Sequence, residues 1–164
     1  MRDLFLLDPE VVYLNHGMAG ACSKPVFETY QRWQLELERQ PTAFLARKAD
    51  ALLTEARGSL ADYLGCKRDE IVYFTNPTLA LNVVARSLDL KPGDEILSSD
   101  HEYGAMDRTW RFICSRRGAR YRQAPIPLPL TDPKQILDQL WEGVGERTRA
   151  IFLSHITSPT AIIF

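Results

Sequence analysis

Apolar and polar positions fall into two textures along the chain. Before residue 70 the apolar positions recur at helical spacing. The stretch 25–39 predicts a helix, with Pro25 in its first turn, where a missing N–H costs nothing. Leu45, Ala49, Leu52, Leu53, Ala56, Leu60, Tyr63 and Leu64 keep the same spacing and predict a second helix, which Gly65 ends. After residue 70 short apolar runs alternate with helical stretches. Residues 71–74, 95–98, 119–124 and 150–154 predict strands, and 77–88, 103–117 and 133–141 predict helices. Strands of this kind call for a mostly parallel sheet with helices on both faces, an α/β fold. Ligands of such sheets bind beyond the carboxyl ends of the strands, in the loops that enter the helices.

Composition narrows the class. The chain has 164 residues, 45% of them hydrophobic, which suits a folded domain or part of one and excludes wholesale disorder. The net charge of −1 excludes a dedicated nucleic-acid binder. No apolar run approaches the ~20 residues needed to cross a bilayer, and Met1-Arg2-Asp3-Leu4-Phe5 opens no secretory signal. Cys22, Cys66 and Cys114 are odd in number, widely spaced and without a CxxC, which fits thiols in a reducing cytoplasm. There is no internal repeat and no interdomain linker. The last residues, Ala161-Ile162-Ile163-Phe164, carry no cap, charge or turn residue, and read as if cut.

Three loops at expected strand ends concentrate polar chemistry. Thr75-Asn76-Pro77-Thr78 leads a strand into a helix; its free N–H groups and positive dipole end suit a phosphate, while ordinary capping by Thr75 or Asn76 explains the same residues. Ser99-Asp100-His101-Glu102-Tyr103 offers a ring for stacking and an imidazole for proton transfer; alternatively Asp100 or Glu102 caps the next helix and His101 packs partly buried. Ser154-His155-Ile156-Thr157-Ser158-Pro159-Thr160 brings further hydroxyls and a second imidazole, with Pro159 placed to begin a helix. Three such loops favour a shared polar site over three independent caps. No glycine-rich fingerprint or GxxxxGK[ST] accompanies them, so a doubly wound nucleotide-binding domain lacks support. Elsewhere plain readings prevail: Arg116, Arg117, Arg120 and Arg122 as a solvated helix end, and Trp33, Trp110 and Trp141 as core or interface anchors.

Tyr13-Leu14-Asn15-His16-Gly17, Thr75-Asn76-Pro77-Thr78, Lys91-Pro92-Gly93-Asp94, Asp100-His101-Glu102-Tyr103-Gly104 and Ser154-His155-Ile156-Thr157-Ser158-Pro159-Thr160 occur in that order. The ordered set, which runs from Tyr13 to the last residue, resembles the class V aminotransferase family of pyridoxal-phosphate (PLP) enzymes, and most closely its isopenicillin N epimerase-like branch. The resemblance implies the large domain of the aspartate aminotransferase fold (fold type I), incomplete here, with an N-terminal segment 1–24 and a partial PLP-binding domain 25–164. It implies that Asn76, Pro77 and Thr78 hold the cofactor phosphate and that His101 stacks on the pyridine ring, with Tyr103 the second choice. Ser158, or Thr157, would contact the phenolic oxygen, and Asn15 and His16 would line the substrate side; Met18 departs from the small polar residue usual there. The Schiff-base lysine and the acidic partner of the pyridinium nitrogen are expected beyond Phe164, because none of Lys24, Lys48, Lys67, Lys91 and Lys134 matches the family's lysine position. The intact enzyme is then expected to act on amino acids by transamination, epimerisation or side-chain cleavage, as a cytoplasmic homodimer. This chain alone is expected to bind the cofactor weakly or not at all and to turn nothing over. The rival expectation is a non-catalytic binding module that kept the phosphate loop.

Overall fold

Prolines open three helices in the computed structural model, which describes residues 1–164. Pro25 lies in the first turn of α1 (Lys24–Arg39), Pro41 starts α2 (Pro41–Arg47), and Pro77 starts α4 (Pro77–Ser87). The chain divides into two units, Met1–Val72 and Tyr73–Phe164. The first holds α1, α2 and α3 (Ala49–Leu64), with short 3₁₀ turns at Arg2–Leu4 and Arg68–Glu70. The single long helix expected after residue 45 is instead two, α2 and α3, meeting at Lys48. The helical ladder persists across the joint, Lys48 N–H to Phe44 C=O and Leu52 N–H to Lys48 C=O, so the joint is a bend rather than an end. Phe44 packs against Trp33 of α1 at 6.2 Å, and the Lys48 ammonium pairs with Glu36 of α1. Gly65 closes α3 at φ 68°, as its sequence position predicts.

The second unit builds a sheet from β1 (Glu95–Ser99), β2 (Arg120–Ala124) and β3 (Thr148–Phe152) in the order β2-β1-β3, every pair parallel. Alternation along β1 sends Ile96 and Leu97 to opposite faces. Ile96 joins Ala85 of α4 and Met106, Trp110, Ile113 and Cys114 of α5 (Gly104–Arg117) in one core. Leu97 joins Ala124, Ile126 and Ile136 and Leu140 of α6 (Lys134–Gly143) in the other. The sheet is thus covered on both sides, as all-parallel sheets require. Gly143 seats α6 so closely that a Cβ there would meet Leu97 Cδ1 at 2.8 Å.

The strand expected at 71–74 does not form. Ile71 is extended (φ −107°, ψ 129°), but no neighbouring strand offers its residues a ladder, and Val72, Tyr73 and Phe74 are exposed. Strand composition without a partner yields extended coil. No helix is long and apolar enough to cross a membrane.

Helices α4 and α5 lie side by side and parallel. Asn82 Nδ2 donates to Thr109 Oγ1 at 3.2 Å, and four residues on, the Arg86 guanidinium lies 6.0 Å from the Phe112 ring. The two helix starts therefore share one end of the unit, the end at which β1 delivers its carboxyl terminus. Two substitutions test this packing by chemical denaturation. Gly143→Ala is expected to cost about 1–3 kcal/mol by overpacking against Leu97. Trp110→Ala, at a residue 3% exposed, is expected to cost about 3–5 kcal/mol.

Candidate functional site

The loop leaving β1 is gripped from both sides. On one side Asp100 N–H donates to Ala124 C=O at 3.1 Å, and Asp100 Oδ1 accepts the Ile126 N–H at 2.9 Å, fixing the loop to the exit of β2. On the other, Glu102 accepts the Ser154 N–H at 2.9 Å and the Ser154 hydroxyl at 2.6 Å, fixing it to the exit of β3. Ser99 Oγ adds a donor to Glu102 at 3.3 Å. His101 stands between these two carboxylates, 9% exposed. Neither carboxylate caps α5, whose N-cap is Tyr103 without a side-chain bond; both reach sideways to neighbouring strands.

The loop beyond β3 curls back instead of starting a helix at Pro159. Thr157 N–H donates to Ile162 C=O at 2.9 Å, Ala161 N–H to Thr157 C=O at 2.9 Å, and Phe164 N–H to His155 C=O at 3.0 Å. Ile156 and Ile163 pair as an antiparallel bridge, and Ala161 takes a left-handed φ of 54° to close the turn. The Thr157 side chain, 2% exposed, tightens it by accepting the Ile162 N–H at 2.8 Å. The turn aims Thr160 at His101, with Thr160 Oγ1 2.9 Å from the ring Nδ1. Leu153 and Ile162 pack on the α6 face, whereas the chain leaves β1 for α5 on the other face. Adjacent parallel strands whose continuations part to opposite faces leave a crevice between their exits.

The loop into α4 resolves one ambiguity of the sequence. Asn76 is the N-cap: its Oδ1 accepts the Leu79 N–H at 2.8 Å, and Ala80 N–H bonds to Asn76 C=O. Pro77 has no N–H. The Thr78 N–H then makes no hydrogen bond within the chain, and its hydroxyl is likewise unengaged, so capping by Asn76 leaves one backbone donor for a ligand. Thr78 and His101 stand at the same end of the unit. Ser158 lies on the exposed part of the β3 loop with its hydroxyl unengaged, whereas the Thr157 hydroxyl is committed to the turn. Tyr103 is exposed.

Asn15 and His16 belong to the other unit. His16 Nδ1 accepts the Ala21 N–H at 3.3 Å, and its ring packs on Tyr13 at 4.9 Å and Phe5 at 5.9 Å; Asn15 Nδ2 meets the Met18 sulfur at 3.5 Å. The three loops of the second unit contain no lysine or arginine. At the opposite sheet end Asp94 accepts the Lys91 N–H at 2.8 Å and Arg149 Nε at 3.0 Å, and Glu95 accepts Arg122 Nη1 at 3.1 Å. The Lys91 N–H first, and Arg149 after it, hold the Asp94 carboxyl below the usual carboxylate range. Burial pushes the Cys114 thiol up, which leaves it a core residue and not a nucleophile. Thr160 and Glu102 are the functional neighbours that sequence reasoning missed. Glu102 sits beside His101 and looks like a cap, and Thr160 is aimed only by a turn that closes through Ile162.

The family model described as aminotransferase class-V matches residues 22–164. Isopenicillin N epimerase of Streptomyces clavuligerus is 39% identical over 162 residues, covering 99% of this chain and 41% of its own length. The same enzyme of Amycolatopsis lactamdurans is 36% identical over 165 residues, with 99% and 41% covered. The chain thus spans about two fifths of the length of these curated relatives. Among solved structures, a mutant of C-DES with glycine covalently linked to its PLP cofactor superposes with a TM-score of 0.86 at 26% identity, over 99% of this chain and 43% of that one. A complex of the cystine C-S lyase C-DES with its reaction product cysteine persulfide superposes at 0.83 and 26% identity, over 92% and 40%.

The grip on the β1 loop is testable in isolation. Glu102→Ala is expected to lower stability by about 2–3 kcal/mol, since it strips a charged acceptor from two Ser154 donors. Ser154→Ala is expected to cost less in the Glu102→Ala background than alone, read as non-additive denaturation midpoints.

Proposed function

The chain belongs to the class V aminotransferase family, and on that footing we propose that residues Tyr73–Phe164 supply the phosphate end and one ring face of a pyridoxal 5′-phosphate site. One observation carries the reading: an unpaired backbone donor at a helix start, Thr78 N–H, shares a sheet end with a buried imidazole, His101. The residues fit the group. A phosphate before α4 gains the Thr78 N–H and hydroxyl together with the positive end of the helix, whose dipole contributes about 0.3–1 kcal/mol at an exposed position. Asn76 and Pro77 shape that start, the first as the cap and the second by fixing the turn. His101 offers a flat ring held from both flanks, suited to stacking on a heteroaromatic face. Ser158 is the better candidate for the phenolic oxygen, because the Thr157 hydroxyl is already engaged.

When bound, the cofactor supplies an electron sink for the bonds at an amino acid's Cα. The residues of this chain bind and orient it, and none of its five lysines lies in the three loops that face the cofactor. Lys91 pairs with Asp89 at 2.7 Å at the far sheet end, Lys48 pairs with Glu36, and Lys134 opens α6 on the face away from α4 and α5. The longer protein acts on a small-molecule amino-acid substrate by transamination, epimerisation or side-chain cleavage, and the relatives at 36–39% identity favour epimerisation. It works as a homodimer in the cytoplasm, where three unpaired thiols are stable. Asn15 and His16 remain the substrate-side candidates of the first unit.

Titration of the chain with pyridoxal 5′-phosphate, followed by amide and ring NMR, tests the reading. Weak binding is expected to perturb the Thr78 amide and the His101 ring, to be competed by inorganic phosphate, and to leave no single lysine fixed to the cofactor by borohydride. Perturbation at neither residue refutes the phosphate-and-ring assignment. One lysine fixed in high yield, and lost on its mutation, refutes the claim that the lysine lies elsewhere.

A further inference from the structure

His101 carries the site's ring, and the direction of its hydrogen bonds is set by counting protons in the turn that faces it. Thr160 Oγ1 lies 2.9 Å from His101 Nδ1 and 2.9 Å from Thr157 Oγ1. Thr157 Oγ1 already accepts the Ile162 N–H at 2.8 Å. Its single proton has two acceptors in reach: Thr160 Oγ1 at 2.9 Å and the Ile162 carbonyl at 3.4 Å. That carbonyl already accepts the Thr157 N–H at 2.9 Å. The Thr157 proton therefore goes to Thr160, which leaves the Thr160 proton free for His101 Nδ1, the acceptor 2.9 Å away. The reverse order would force the Thr157 proton into the 3.4 Å contact, outside the O–H···O range of about 2.5–3.0 Å.

An accepting Nδ1 leaves the ring proton on Nε2. Within the chain Nε2 has no hydrogen-bond acceptor. Asp100 Oδ1 is 3.8 Å away and already accepts the Ile126 N–H at 2.9 Å. The left-handed Ala161, a non-glycine residue held at φ 54° at a cost of about 1–2 kcal/mol, closes the turn that carries Thr160 to the ring.

We propose that Thr160, backed by Thr157, is a positioning residue that locks the His101 imidazole in one plane and in its Nε2–H tautomer, so that the free ring donor is available to an anionic oxygen of the bound ligand. This rests on the reading of His101 as the ring-facing residue of the site. The mechanism of the lock is a relay in which the Thr157 and Thr160 hydroxyls each accept once and donate once.

Ring-nitrogen NMR of the 15N-labelled chain, without cofactor, tests the lock. His101→Gln assigns the signals among the three histidines. In the neutral ring the wild-type chain is expected to show one tautomer, with an accepting Nδ1 and a protonated Nε2. Thr160→Val keeps the shape and removes the hydroxyl; its two ring-nitrogen signals are expected to converge as the tautomers mix. Thr160→Ser is expected to restore the wild-type pattern, and Thr157→Val, one step back in the relay, to shift it partway. A wild-type ring protonated at Nδ1, or a Thr160→Val spectrum unchanged from wild type, overturns the proposal. If Thr160→Val does not fold, the wild-type tautomer together with the Thr157→Val shift decides in its place. Because no cofactor is present, failure here leaves the cofactor titration standing, and a failed titration leaves the tautomer result standing.

Discussion

The second unit depends on a strand that has no free side. β1 is laddered on both edges, to β2 and to β3, and covered on both faces, by α4 and α5 above Ile96 and by α6 above Leu97. All five of its residues are buried. A strand so confined cannot slip, because a one-residue shift would trade Ile96 for Leu97 between two cores of different shape. Its exit is therefore a fixed point, and the chain uses it. Asp100 and Glu102, one residue to either side of His101, reach outward to the exits of β2 and β3. The imidazole inherits the rigidity of the sheet although it lies in a loop.

The two ends of this sheet solve different problems. At the amino end, charge is abundant and paired: Asp94 with Arg149, Glu95 with Arg122. These contacts join turn to strand and fix where the three strands begin. At the carboxyl end the loops contain no lysine or arginine, and hydroxyls, an amide cap and imidazole take over. Asp100 and Glu102 spend their oxygens on the Ile126 and Ser154 donors, which leaves the Thr78 N–H and the unengaged hydroxyls as the open donors of this edge.

Much of this was readable from residues. The alternation after residue 70 yields β1, α5, β2, α6 and β3 to within two residues at each end, because short apolar runs between helical stretches have one stable arrangement. The loops at the strand ends were readable as the place for chemistry for the same reason. Where the reading failed, the missing information was non-local. Ile71, Val72, Tyr73 and Phe74 have strand composition, yet a strand exists only with a neighbour. The bend at Lys48 leaves the apolar spacing undisturbed, so periodicity passes through it. Pro159 reads as a helix start, and the chain turned back instead, because the Thr157 backbone and hydroxyl bind Ile162. Thr160 had no signal of its own: its place beside the imidazole comes from that turn.

The two grips on the β1 loop differ in the length of chain they close. Asp100 reaches Ile126 across 26 residues, Glu102 reaches Ser154 across 52, and His101 reaches Thr160 across 59. Doubling a closed loop costs only about 0.6 kcal/mol of entropy, too little to set an order of assembly by itself. Synthesis sets it instead. As the chain grows from its N-terminus, β1, α5 and β2 can dock with Asp100 in place before Ser154 exists, and the imidazole waits beside an empty flank until the last turn arrives. The core between β1, α5 and β2 can thus form earlier than the chemistry, and the grip on the imidazole closes only with the Thr157–Ile162 turn, which also completes the α6-side core.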